Sequence, residues 1–169
     1  TKVLAGVVET KTGKLIGTKK KRTKQANTQD LLLERITLAI DEALAKLDVD
    51  ISDVDGIGVG AAGMVNRETG TLLQAANLGV NDIEITKPLE KKYKVKARLG
   101  NDVEVATYGE RYFGAGKESN HFVCVFVGTG IGSGVVVNDA HLKGFTGTAG
   151  EIGHTKLFPD GRSCGCGGY

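Results

Sequence analysis

One histidine and two cysteines near the end of the sequence have the types and spacing of a metal site, and an acid lies close to them. Glu151 and His154 are three residues apart, and Cys164 and Cys166 follow ten and twelve residues after the histidine. Structural zinc takes four ligands, typically cysteine and histidine with short cysteine spacing. We therefore predict that His154, Cys164 and Cys166 supply three zinc ligands. The alternative is that the two cysteines are free thiols on a turn.

Glu151 and His154 also fit a second role. They follow a loop of small residues, Gly144 to Gly150. Three residues apart, they can share one face of a helical turn and hydrogen-bond adjacent hydroxyls of a sugar. The alternative is a helix N-terminus where the helix dipole favours the acid and the histidine is satisfied by neighbouring groups.

A glycine-rich segment lies between two apolar strands and is a candidate phosphate-binding turn. Its backbone N–H groups can converge on an anion, and two hydroxyls add donors. It lacks the Gly-Lys-Ser/Thr ending of a Walker A loop, and a strand follows it where that loop and the Rossmann fingerprint need a helix. The alternative is a tight hairpin that binds nothing. The residues concerned are Gly128, Thr129, Gly130, Gly132, Ser133 and Gly134.

Asn101 and Asp102 lie where a predicted strand, Val95 to Leu99, gives way to a predicted helix, Val103 to Phe113. A carboxylate at the mouth of a parallel sheet can accept a proton from a substrate hydroxyl. The alternative is that one of the two residues only caps the helix.

The elements around these residues follow from apolar periodicity and turn signals. Thr28 is a predicted N-cap for a helix that runs to Leu47. The polar segment Gly114 to Asn120 is the predicted domain boundary, which gives domains 1–117 and 118–169. The predicted strands are 1–8, 14–23, 55–61, 95–99, 121–127 and 134–138, and the predicted helices are 28–47, 86–93 and 103–113.

Composition limits the class of protein. A net charge of +2 over 169 residues gives no reason to expect a nucleic acid or a membrane as partner. The basic run Lys19 to Arg22 carries no interleaved aromatics, which favours a solvated edge strand over a nucleic-acid patch. Cys-x-Cys near a histidine, without a secretory signal, predicts a metal site in a reducing cytoplasm.

Together these residues, in this order and spacing, resemble the ROK family, which contains bacterial sugar kinases such as glucokinase and sugar-responsive repressors. The resemblance spans essentially all 169 residues. It implies an actin-like α/β fold of two RNase-H-like domains, with ATP and a small-molecule sugar between them. The chain would hold the first domain and the opening of the second.

The resemblance also implies roles for single residues. Asp102 matches the catalytic base, and His154, Cys164 and Cys166 match three of four structural zinc ligands. Residues matching sugar-binding positions are Gly63, Asn77, Asn101, Asp102, Glu151 and His154. Residues matching phosphate-loop positions are Thr1 and Lys2 in the first loop, and Gly128, Thr129, Gly130, Gly132, Ser133 and Gly134 in the second.

The chain departs from the family pattern at both ends. Only Thr1 and Lys2 of the first phosphate loop are here, without the aspartate linked to Mg²⁺, and Ala62 precedes Gly63 where the family often has proline. The fourth zinc ligand would fall just past Tyr169. We therefore expect a chain truncated at both ends and inactive by itself, from a cytoplasmic, dimeric or tetrameric hexose kinase that phosphorylates the 6-hydroxyl. The alternatives are the sugar-binding part of a ROK-type repressor and a zinc-stabilised sugar-binding module.

Overall fold

The computed structural model describes residues 2–22, 28–75, 79–128, 130–164 and 167–168. The chain divides into two units, Thr1–Asp102 and Val103–Tyr169. The domain boundary predicted after Lys117 stays a prediction. It differs from the division after Asp102, because it assigns the helix Asp102–Phe113 to the first domain.

The first unit begins with an antiparallel hairpin of β1 (Lys2–Val8) and β2 (Leu15–Arg22), followed by α1 (Gln29–Leu47). The hydroxyl of Thr28 accepts a hydrogen bond from the backbone N–H of Leu31 at 3.3 Å, so the predicted N-cap is confirmed.

Two further sheets complete this unit. In one, β3 (Ile57–Ala61) pairs in parallel with β7 (Ala97–Asn101). The other is antiparallel, in the order β4 (Met64–Asn66), β5 (Thr71–Ala75) and β6 (Val80–Glu84). Helix α2 (Thr86–Tyr93) links β6 to β7.

One apolar cluster holds these elements of the first unit together. It draws side chains from α1, β5, β6, α2 and β7, so burial fixes the carboxyl ends of β3 and β7 against a packed layer. Its buried members are Leu32, Ile36, Leu72, Ala75, Val80, Ile83, Ile85, Leu89, Tyr93, Ala97 and Leu99.

The second unit contains most of helix α3 (Asp102–Phe113) and a sheet in the order β10 (Ala140–His141), β9 (Ile131–Val137) and β8 (Phe122–Val127). Strand β9 begins at Ile131, three residues earlier than the predicted start at Gly134. Consequently Gly132, Ser133 and Gly134, which were assigned to the glycine-rich turn, lie on a strand.

The basic run lies on β2, which pairs only with β1 among the described strands. Lys19 and Lys21 form ion pairs with Glu42 of α1, and these two ammonium groups hold the pKa of the Glu42 carboxyl below its usual value, the larger effect coming from Lys21. No helix in the described part of the chain combines the length and apolar character that a membrane crossing requires.

Candidate functional site

The carboxyl ends of β3 and β7 bring two predicted sugar-site residues together. The strands run in parallel with Ala61 opposite Asn101, so the turn after β3 and the start of α3 lie at the same sheet edge. The side-chain amide of Asn101 donates a hydrogen bond to the carbonyl oxygen of Gly63 at 3.1 Å. Open α/β sheets bind ligands at this kind of edge.

Gly63 adopts a conformation that only glycine accepts readily. Its φ is +131°, and an added Cβ would lie 2.1 Å from the carbonyl oxygen of Gln74. The clash is with main chain, so no side-chain rotation could relieve it. The turn after β3 is therefore fixed by backbone geometry, whether or not proline precedes it.

Asp102 is the first residue of α3, and its side chain is exposed. An exposed carboxylate directly after the end of a parallel strand can meet a substrate hydroxyl. Its assignment as the catalytic base stays a prediction.

The glycine-rich segment has two parts with different surroundings. An added Cβ at Gly128 or Gly130 would meet nothing within 4 Å, and the backbone N–H of Gly128 donates to the carbonyl oxygen of Gly130 at 2.8 Å. On β9, by contrast, an added Cβ at Gly132 would lie 2.7 Å from Cγ2 of Val103, and one at Gly134 would lie 2.0 Å from Oγ1 of Thr107. These two glycines allow α3 to pack directly on the strand.

Ser133 lies between these glycines and is buried. Its hydroxyl donates to the carbonyl oxygen of Gly150, so it supports the loop that leads to Glu151. The turn itself is shorter than predicted, because the chain from Ile131 onwards belongs to β9. The phosphate-binding roles of the individual residues remain predictions.

Glu151 directly precedes a single 3₁₀ turn, Ile152–His154, and both Glu151 and His154 are exposed. The backbone N–H of His154 donates to the carbonyl oxygen of Glu151 at 3.1 Å, so this turn joins the two residues. Gly153 fits this turn against β9, since an added Cβ there would lie 1.9 Å from the carbonyl oxygen of Ile131.

His154 and Cys164 are placed as two ligands of one zinc ion would be. Nδ1 of His154 and Sγ of Cys164 are 3.7 Å apart. Tetrahedral zinc with ordinary bond lengths separates a nitrogen and a sulfur ligand by roughly 3.6 Å. No group of three histidine, cysteine or carboxylate side chains that could hold a metal occurs within the described residues, which exclude Cys166.

A cavity of about 210 Å³ adjoins this pair of residues. Its lining includes His154, Cys164 and Arg162, together with apolar surface from Leu157 and Phe158. Arg162 was not among the predicted site residues, because an arginine after Asp-Gly reads as part of a surface turn. Its presence beside His154 adds a cationic donor to this cavity.

Thr1, Asn77, Thr129 and Cys166 lie outside the described residues. Lys2 is exposed at the start of β1. No group of three carboxylate or imidazole side chains that could hold Mg²⁺ occurs within the described ranges.

Comparison with known proteins identifies this arrangement. The sequence profile described as the ROK family matches residues 1–169. The chain belongs to the ROK family. Glucokinase from Halalkalibacterium halodurans is 37% identical over 145 residues, which are 83% of this chain and 44% of that protein. The ROK chain thus spans about half the length of the curated relatives it matches.

A solved ROK structure supports the fold. The glucokinase from Streptomyces griseus in complex with glucose and AMPPNP matches with a TM-score of 0.83 and 33% identity, over 99% of this chain and 51% of that one. The predicted actin-like α/β fold is confirmed. The xylose repressor of Bacillus subtilis is 29% identical over 83% of this ROK chain and 35% of its own length, so relatives include both kinases and regulators.

Proposed function

We propose that the intact protein is an ATP-dependent hexose kinase that phosphorylates the 6-hydroxyl of glucose or a related sugar in the cytoplasm. The observation that carries this proposal is the hydrogen bond from Asn101 to Gly63 beside the exposed Asp102. It joins two proposed sugar-binding positions, Asn101 at the end of β7 and Gly63 in the turn after β3, next to the proposed base. The glucose and AMPPNP named for the Streptomyces griseus relative support the same substrates here.

Asp102 acts as the base in this proposal. Its carboxylate accepts the proton of the attacking hydroxyl as the γ-phosphoryl group is transferred. Phosphoryl transfer depends mainly on positioning and on stabilising charge, so one placed carboxylate and a set of backbone N–H donors suffice. Asn101 holds the turn at Gly63, and with it one side of the sugar.

Within the second unit, phosphate and sugar contacts are part of the same proposal. An added Cβ at Gly130 would meet nothing within 4 Å, which leaves room for a phosphate to approach its backbone N–H. Glu151 and His154 offer an acceptor and a ring nitrogen to sugar hydroxyls. Structural zinc bound by His154 and Cys164, with Cys166 as a further ligand, would stabilise the loop that presents them.

A ROK-type sugar-sensing regulator is the second candidate. It is favoured by the repressor among the relatives, which matches this chain nearly as well as the kinases do. In such a protein the same residues would bind sugar without catalysis. Asp102 would then act only as an acidic residue at the start of a helix, where the dipole favours it.

The test is an ATP-coupled phosphorylation assay of the intact protein on glucose, fructose, mannose, N-acetylglucosamine and N-acetylmannosamine. Asp102→Asn keeps the shape of the side chain and removes the base. Asp30→Asn is a matched control, because it makes the same change in the first turn of α1. We expect turnover of one sugar that Asp102→Asn abolishes and Asp30→Asn preserves.

Sugar binding by calorimetry separates the remaining outcomes. Asp102→Asn should still bind sugar, because a base acts in the transition state more than in the ground state. Sugar binding by wild type without any turnover would reject the kinase in favour of the regulator. Equal turnover by wild type and Asp102→Asn would reject the base.

A further inference from the structure

A buried acid and a buried histidine join helix α3 to the hairpin that follows the glycine-rich segment. Oε1 of Glu104, on α3, lies 4.0 Å from Nδ1 of His141, on β10. Their side chains are 7% and 8% exposed. The ring of Tyr108, one turn further along α3, lies 5.4 Å from the imidazole between ring centroids. Burying two ionisable groups is costly, so their placement needs a reason.

The position of this pair along the helix suggests that reason. Glu104 lies two residues after Asp102, in the first turn of α3. The neighbouring Val103 packs on Gly132 of β9, and His141 pairs with Val136 of the same strand. The first turn of the helix is therefore held both by close packing on bare backbone and by a polar contact to the next strand.

Packing on glycine fixes how close a helix lies to a strand but does little to fix its rotation about its own axis. A glycine offers no side chain that could interlock with Val103 or Thr107. The contact between Glu104 and His141 supplies that restraint, because the attraction between a carboxylate and an imidazole weakens as the two groups move apart. Rotation of the first turn would swing the Asp102 carboxylate.

We propose that Glu104 is a positioning residue, which through His141 sets the rotation of the first turn of α3 and thereby the direction of the Asp102 carboxylate. This inference rests on the proposed kinase function. A misplacement of about 1 Å in a reacting group can cost roughly a hundredfold in rate. Loss of the pair should therefore lower kcat more than it changes sugar affinity.

The same helix and hairpin provide a matched control. At the other end of α3, Arg111 forms an ion pair with Asp139, in the turn between β9 and β10. Asp139→Asn thus breaks a charged contact between the same two elements. Its partner on the helix, Arg111, is nine residues after Asp102. It should lower thermal stability and leave kcat unchanged.

The experiment measures kcat, sugar KM and thermal unfolding of the intact protein for wild type, Glu104→Gln, His141→Gln, their double variant and Asp139→Asn. The sugar is the one that wild type phosphorylates in the panel above. We expect kcat of Glu104→Gln to fall about ten- to a hundredfold, with KM within about twofold. The double variant should be no slower than the slower single variant, because the two residues act as a unit.

Two results would overturn the inference while leaving the kinase in place. One is a Glu104→Gln variant that loses stability but keeps kcat within about twofold, as Asp139→Asn should. The other is kcat losses that multiply in the double variant. A wild type that turns over no sugar would instead reject the proposed function and, with it, the positioning role.

A second variant covers the case in which the single substitutions fail to fold. Glu104→Leu with His141→Leu removes both ionisable groups together, and such apolar replacements of buried pairs are often neutral for stability. We expect this variant to fold and still show lowered kcat, because the two leucines lack the attraction that restrains rotation of the helix. Full kcat in the folded double-leucine variant would overturn the inference.

Discussion

The side chain of Asn101 donates to the main chain of Gly63 across the ends of two parallel strands, over 3.1 Å. The residues are 38 positions apart in sequence, and the contact depends on β3 and β7 being in register from Ile57 opposite Ala97 onwards. This hydrogen bond links the turn after β3 to the residue that directly precedes α3. Perturbing either residue should therefore affect sugar binding.

Gly63→Ala should destabilise the protein strongly. The substitution forces an L residue to φ +131° and a Cβ to 2.1 Å from the carbonyl oxygen of Gln74. We expect a loss of about 3 kcal/mol in unfolding free energy, measured by urea denaturation, and weaker sugar binding. Gly58→Ala on β3, the strand that precedes this turn, is the control, since an added Cβ there meets nothing within 4 Å. Similar stability of the two variants would contradict the strained turn.

Gly134→Ala and Gly130→Ala should separate packing from ligand binding. At Gly134 the new methyl meets Thr107, so unfolding free energy should fall by about 1–3 kcal/mol. At Gly130 the methyl has open space, so stability should change by less than about 0.5 kcal/mol.

The ATP readout completes this pair. Gly130→Ala should raise the KM for ATP, because a methyl there blocks close approach of a phosphate to the backbone. Unchanged ATP kinetics in Gly130→Ala would remove that residue from the phosphate site. Replacing Thr107 by alanine should partly restore the stability of Gly134→Ala.

Local signals in the sequence were enough to predict much of this molecule. Thr28 at the start of α1 and the apolar run that became β8 are short-range patterns, and both were predicted within one residue. The start of β9 was not, because Ile131 to Gly134 has a glycine content typical of a turn. Helix α3 packs so closely on this strand that Gly132 and Gly134 have no room for a side chain. That reason for the glycines is a tertiary contact, which local sequence patterns do not reveal.

The candidate site shows the same division. Asp102, Glu151 and His154 are predicted site residues because their types, order and spacing match the family pattern. Glu104 and His141 are not predicted from the sequence, since they are 37 residues apart and each is unremarkable on its own segment. Strand β8 is apolar along its whole length, yet alternate residues such as Val123 and Val125 are 55% and 52% exposed. Exposure alternates along β8 because successive side chains of a strand point to opposite faces of the sheet, and the described part of the chain covers only one of these faces.

Cys164→Ser should lower bound zinc and thermal stability together. Zinc binding stabilises the folded state when the ligands exist only there, so loss of one thiolate weakens both. Zinc content by mass spectrometry and the unfolding midpoint check this in the intact protein. Chelator treatment of wild type should reproduce the stability loss.

Cys124→Ser is the control for the zinc prediction. Burial, followed by the nearby Glu110 carboxylate, raises the pKa of the Cys124 thiol, which therefore stays protonated at neutral pH and unsuited to metal binding. Zinc content should be unchanged in this variant. Undiminished zinc in Cys164→Ser would remove that residue from the site.

Stability should fall at alkaline pH partly through Tyr93. Its hydroxyl donates to Oδ1 of Asp41 at 2.7 Å and to the carbonyl oxygen of Thr37 at 3.1 Å. Burial, with a further contribution from Asp41, raises the pKa of Tyr93 above its usual value. The folded state then holds the phenolic proton more tightly, so this contribution is complete below about pH 10 and is lost as the pH rises above it.

Urea denaturation between pH 8 and pH 11 tests this relation. Tyr93→Phe should be less stable than wild type at pH 8 and should lose less stability above about pH 10. Tyr112→Phe, at a side chain that is 62% exposed, is the control and should follow wild type. If the unfolding free energy of wild type and of Tyr93→Phe falls equally with rising pH, the loss of stability at alkaline pH comes from other groups.

Strand β9 is constrained from both faces over a few consecutive residues. On one face Gly132 and Gly134 lie under α3, and on the other the Ser133 hydroxyl and the oxygen of Ile131 lie against the loop from Gly150 to His154. A saturation library screened only for folding, with no sugar or nucleotide present, should therefore already recover glycine at 132 and 134. Glycine at positions 132 and 134 would then be selected by the lack of space for a side chain between strand and helix. Selection that depends on a ligand should instead appear at Gly128 and Gly130, where an added Cβ meets nothing within 4 Å.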